Sequence, residues 1–165
     1  MKTYVRSKCS GFTLLEVLIA TLIIGIAITS IVASNGAFTK ANGAGLTISQ
    51  AQFLLEQIRE LSATLDVVDP ETGTTTFGAE ESSLANYDDL DDFDGLSFCP
   101  PIDIDRSQIS DLSEYTQQIT VNNVSLADLE TVAADHSTDM VRVSVSVSLN
   151  GTEITSASWI RARIE

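Results

Sequence analysis

The sequence is short of the residues from which enzyme centres and disulfide scaffolds are built. Its 165 residues include one histidine (His136), two cysteines (Cys9 and Cys99) and three prolines, none before Pro70. His136 lies in the polar string AADHSTD, where a solvated loop residue is expected, and no Ser-His-Asp or zinc-ligand spacing surrounds it. Gly43 and Gly45 lack the GKS or GxGxxG context of a phosphate-binding loop. Carboxylates are abundant, but an acid-base pair needs one of them held in an apolar pocket, which spacing does not specify. The expectation is a protein that is not an enzyme.

Basic residues are scarce as well: nine Lys and Arg stand against 23 Asp and Glu, a formal net charge of −14. Such a surface repels nucleic-acid phosphate, so no nucleic-acid partner is expected. From Glu60 to Asp105 there are 13 acids and no Lys or Arg, and the densest part is YDDLDDFDG, Tyr87 to Gly95. An EF-hand loop ending at Asp94 and Gly95 would need an acid where Leu90 stands. A calcium site of another kind, drawing on Asp88, Asp89, Asp91, Asp92 and Asp94, is the alternative. The expectation is a solvated acidic loop without metal or cofactor. Tyr87, Leu90 and Phe93, three residues apart, would tuck one face of this stretch onto the domain.

Charge of either sign is missing from Val17 to Thr39, 23 residues that as a helix would cover the roughly 30 Å hydrocarbon core of a bilayer. Lys2, Arg6 and Lys8 precede this run and only Lys40 follows closely, which predicts a single-pass protein with a cytoplasmic N-terminus and an extracytoplasmic C-terminal domain. Glu16 stands at the mouth of the span. A carboxylate entering a membrane costs several kcal/mol unless a partner neutralises it or it snorkels to the headgroups. No A-x-A cleavage site follows the apolar run, and Cys9 precedes it, where a lipoprotein cysteine would follow.

SGFTLLEVLIA, residues 10 to 20, resembles the signal of type IV prepilins and type II secretion pseudopilins: a short basic leader, then Gly11, Phe12 and a glutamate, Glu16, as fifth residue of the mature chain. The resemblance implies cleavage between Gly11 and Phe12 by a prepilin peptidase, N-methylation of Phe12, and assembly through Glu16 with other pilin or pseudopilin subunits on an inner-membrane platform. Cleavage would create an ammonium at Phe12, and the carboxylate of a neighbouring subunit would offset the cost of both charges by a charge-assisted hydrogen bond. Removing residues 1–11 would also remove Cys9, leaving Cys99 able to pair only between chains.

Beyond the span, Leu46, Phe53, Leu54, Ile58, Leu61 and Leu65 draw an apolar stripe on a helix over 45–65, suited to burial against a sheet. Gly36, Gly43 and Gly45 each cost about 1 kcal/mol in a helix interior, which predicts melting or bending there. Many major pilins kink this helix with proline; this chain has none there.

The C-terminal part turns to period two. Val141, Val143, Val145, Val147 and Leu149 alternate with polar residues, Asn150-Gly151 marks a tight hairpin, and 153–164 returns as a partner strand. On that strand Ile154, Ile160 and Ile164 are expected on one face and Trp159, Arg161 and Arg163 on the other. With Tyr115–Val124 this makes a three-stranded antiparallel sheet. The predicted fold class is α+β and pilin-like: leader 1–11, transmembrane and assembly helix 12–39, and an extracytoplasmic domain 40–165 with an acidic loop region 66–105 and a sheet at 115–165.

YDDLDDFDG followed by Pro100 and Pro101 is similar to segments of minor subunits of mannose-sensitive haemagglutinin type pili and PilV-like prepilins. That resemblance covers scattered positions and implies a minor subunit of a pilus or pseudopilus. The alternative is a filament-tip or membrane-tethered binding module with a calcium-stabilised acidic loop.

Overall fold

The structure, a computed structural model, describes residues 11–71, 73 and 75–163. The basic leader up to Ser10, and Ile164, expected on the returning strand, lie outside the described residues. A helix, α1 (Leu14–Thr64), leads into a segment of mostly irregular backbone with three short 3-10 turns. An antiparallel sheet accompanies it: β1 (Ser97–Phe98), β2 (Tyr115–Asn123), β3 (Met140–Leu149) and β4 (Thr152–Ala162), in that spatial order. The α+β class is as the sequence pattern predicts, with β1 a fourth, two-residue strand beyond the three expected.

The chain divides into two compact units, one ending at Ala44 and one starting at Gly45. In the first, the side chains of the apolar run are exposed, among them Leu18, Ile23, Ile31 and Phe38. The helix is long and apolar enough to cross a membrane. It runs without a break through Gly36, Gly43 and Gly45, contrary to the expected melting. Opening a helix in its middle creates two new ends, each with four unsatisfied backbone groups, a larger cost than three glycines impose.

In the second unit the helical seam is Ala51, Leu54, Leu55, Ile58 and Leu61, continued by Leu65 just past the helix end. Leu46 and Phe53, expected in the stripe, are exposed. Phe53 lies about 100° round the helix from Leu54, off the i, i+3, i+4 seam that faces the sheet. The seam packs on Ile119 and Val121 of β2 and on Val141, Val143, Val145 and Val147 of β3, which pair across the ladder as Ile119 with Val145 and Val121 with Val143. Gln117, fully buried on the same face of β2, ties three layers together. Its Nε2 donates to Leu54 O of the helix (2.8 Å) and to Ile102 O (3.1 Å), and its Oε1 accepts from Ile102 N (2.7 Å).

Asn150 and Gly151 both have positive φ, 49° and 79°, the requirement of the tight turn that joins β3 to β4. Trp159 and Arg161 share one face of β4 and Ile160 lies on the other, as expected, and the face turned to the core is that of Trp159 and Arg161. Trp159 pairs with Val143 and Arg161 with Val141, which puts both on the core face, whereas Ile160 pairs with Arg142 on the outer one. A bulge between Val147 and Ser148 leaves Ile154 between the paired residues Glu153 and Thr155. Polar atoms on the inward side chains explain this orientation: Trp159 Nε1 donates to Ser62 Oγ (3.0 Å), and the Arg161 guanidinium donates to the carbonyls of Ser62 and Leu65 at the C-terminal end of α1. A cation at that end also meets the negative pole of the helix dipole.

Candidate functional site

Two places concentrate chemistry. The first is the start of α1. Thr13 and Glu16 form a reciprocal capping box: the Thr13 backbone N–H donates to Glu16 Oε2 (2.8 Å), the Thr13 hydroxyl donates to the same oxygen (3.1 Å), and the Glu16 N–H donates to Thr13 Oγ1 (3.2 Å). Glu16 thus has a partner within its own chain, which the sequence reading did not assign it, although the T-x-x-E spacing is a known helix-start signature. Gly11 and Phe12 precede this box and are exposed, Phe12 with 87% of its surface free. Among the described residues other than its chain neighbour, none comes within 4 Å of where a side chain at Gly11 would start.

The second place is the acidic segment, and it is not the solvated loop expected. Leu90 and Phe93 are core residues at 2% and 3% exposure, and Tyr87 stands edge-on to Phe93 with ring centroids 5.3 Å apart. A bridge between Asp66 and Asp89, with Leu90 N donating to Asp66 O (3.0 Å), fixes the strip beside the end of α1. The 3-10 turn Asp91–Phe93 then carries its acids inward with its apolar anchors. Asp89, Asp91 and Asp92 are buried to within 1% of their surface, and Asp69 to within 5%.

Their oxygens are only partly used. Asp92 Oδ2 accepts from Asp88 N (3.0 Å) and Asp89 N (3.4 Å), and Asp89 Oδ1 accepts from Asp92 N (3.1 Å). Asp89 Oδ2, Asp92 Oδ1, Asp88 Oδ1 and Glu81 Oε2 are buried without a hydrogen-bond donor, and the two oxygens of Asp91 are buried with the Gly78 backbone N–H near them but in no close hydrogen bond. Burial first, and then the facing carboxylate of Asp89, pushes the Asp91 carboxyl well above the usual range; Asp92 is raised by burial and by Asp89 and Glu81. Asp88 is raised by burial and then by Glu81 and Asp69.

Carboxylate oxygens of Glu80, Asp91 and Asp92 lie within 4.8 Å of one another, and so do those of Asp69, Glu81 and Asp88. Of the sequence-predicted metal candidates, Asp89, Asp91 and Asp92 come together here. Asp94 does not: its Oδ1 accepts from Val121 N (2.7 Å), extending the ladder along β2 where the two-residue β1 has ended.

His136 is likewise not a solvated loop residue. Its ring is about 10% exposed, stacks edge-on with Phe77 at 5.2 Å, and brings Nε2 to 2.6 Å from Thr76 O and 3.3 Å from Asp91 Oδ2. No local pattern signals this, because Thr76, Asp91 and His136 are far apart along the chain. Cys99 is exposed, with Sγ 3.5 Å from Ser113 O.

Residues 6–32 match the family described as the prokaryotic N-terminal methylation motif. No curated protein and no solved structure matches the chain. The motif together with the long apolar helix that it opens supports a type IV pilin-like or pseudopilin protein anchored in a membrane. Proteins of this kind are in general structural subunits that a peptidase processes and that assemble with one another.

Proposed function

We propose that this chain is a minor structural subunit of a type IV pilus or type II secretion pseudopilus. On this reading a prepilin peptidase cuts between Gly11 and Phe12, the new Phe12 amine is methylated, and α1 enters the filament with its apolar surface against other subunits. The observation that carries the reading is the methylation motif at residues 6–32, set at the head of a helix whose apolar side chains are exposed. Such a surface is stable only in lipid or against other such helices.

The capping box refines the role of Glu16. Cleavage after Gly11 would leave Thr13 in place, so the bonds from Thr13 to Oε2 survive processing, and the carboxylate reaches a neighbour's Phe12 ammonium already oriented. Its C-terminal domain would stand on the extracytoplasmic side, held to the span by the same helix. Mass spectrometry of the mature protein tests the proposal: an N-terminus at Phe12 bearing one methyl group is expected, and Gly11→Val should retain the leader. A wild-type filament protein beginning at Met1 would refute it.

A further inference from the structure

The buried carboxylates between the end of α1 and β2 have no use in anchoring or assembly, and their arrangement is costly as it stands. A buried carboxylate is stable when a donor or a cation meets each of its oxygens. Asp91 is 1% exposed and has only the Gly78 backbone N–H and, at 3.3 Å, His136 Nε2 near its carboxylate, neither in close hydrogen-bond geometry, and Asp89 and Asp92 each have one buried oxygen without a donor. Among the described residues, His136 is the one basic group within ion-pair distance of Asp88, Asp89, Asp91 or Asp92, and its Nε2 is already 2.6 Å from Thr76 O.

We propose that this centre binds calcium, with Glu80, Asp91 and Asp92 as ligands of one ion and Asp69, Glu81 and Asp88 offering an adjoining second position. Calcium takes six to eight oxygens at about 2.3–2.6 Å, so ligand atoms on opposite sides of an ion stand about 5 Å apart. The separations within 4.8 Å in each group fall inside that sphere. The donors are hard oxygens without a thiolate, the set that suits calcium or magnesium. Magnesium gives up its water reluctantly and is seldom held in an all-protein cage.

Bound calcium would neutralise acids that now face one another, Asp91 against Asp89 and Asp92 against Glu81. It would also tie Asp69 and the mostly irregular backbone of residues 75–92 to the core. The inference is independent of leader processing, so its failure would leave the filament reading untouched.

The test uses the full chain in detergent, stripped with chelator and titrated with calcium chloride by calorimetry, with melting followed in parallel at fixed ionic strength. Saturable binding is expected, with a melting temperature several degrees higher at a hundredfold excess over Kd. Magnesium at the same concentration should produce a much smaller rise. Asp91→Asn with Asp92→Asn should abolish binding, whereas Asp128→Asn, outside the cluster, should keep it. Where the double variant does not fold, Glu80→Gln should weaken calcium at least tenfold. An absence of binding, meaning that the acids hold protons instead, would overturn the proposal. So would an equal response to magnesium, or affinity unchanged in both cluster variants.

Discussion

Thr13 and Glu16 hold each other across the first turn of α1, with both Thr13 donors on one carboxylate oxygen, Oε2, and the Glu16 N–H on the Thr13 hydroxyl. The glutamate therefore serves the helix whether or not it serves assembly, and the two roles separate by substitution. Glutamine at this position keeps a capping acceptor but has no charge. Glu16→Gln should leave helix content and leader removal unchanged, while incorporation into filaments drops severalfold. Normal incorporation of Glu16→Gln would show that capping, and not charge, is what assembly uses.

Gln117 is the polar centre of the folded domain, and Gln117→Leu removes its amide without removing bulk. Ile102 N–H and C=O, both buried, would lose their partner, and a buried backbone group left alone costs about 1–3 kcal/mol. A loss of about 2–4 kcal/mol is expected in denaturant unfolding, with little change in slope. A loss below 1 kcal/mol would mean that the loop reorganises to find other partners.

Trp159 and Ser62 join β4 to α1 by a single bond of 3.0 Å between partly buried side chains. Ser62→Ala and Trp159→Phe should each destabilise, and a double-mutant cycle should return a coupling of about 1 kcal/mol. Additive losses would place the stabilisation in ring packing alone.

Asp128 accepts from the backbone N–H groups of Glu130 and Thr131 and from the Thr131 hydroxyl, and these bonds lower its carboxyl to about 2. A depressed carboxylate favours the folded loop above the ordinary aspartate range, near 4, and loses that contribution as pH falls through 2. NMR titration should find the midpoint near 2 in the native chain and clearly higher in Thr131→Val. An unshifted midpoint in the native chain would mean that the loop does not hold these bonds in solution.

The helix, the β3–β4 hairpin and the processing motif were legible because each rests on local pattern: an uncharged run, an apolar period of two, Asn-Gly, and fixed offsets around Gly11 and Glu16. Which face of β4 turns inward was not legible, because hydropathy ranks isoleucine above tryptophan and arginine as an inward residue. Trp159 and Arg161 instead bring their polar atoms to acceptors on α1, nearly a hundred residues away in sequence. The acidic segment misled for a similar reason. Its charge density reads as solvated, yet Leu90 and Phe93 are core residues, and the three-residue spacing that was expected to tuck one face inward draws the intervening aspartates in as well. Nothing in the local sequence around His136 names Thr76 or Asp91 as its neighbours.

Arg161 closes the C-terminal end of a helix that begins at Leu14, and it does so from β4, the last strand among the described residues. A ribosome delivers that arginine about a hundred residues after Ser62 and Leu65, so until β4 is made the carbonyls of Ser62 and Leu65 await their donor. A nascent chain halted short of β4 would thus carry a complete membrane anchor and an unfinished domain, and quality-control proteases would meet it in that half-made state.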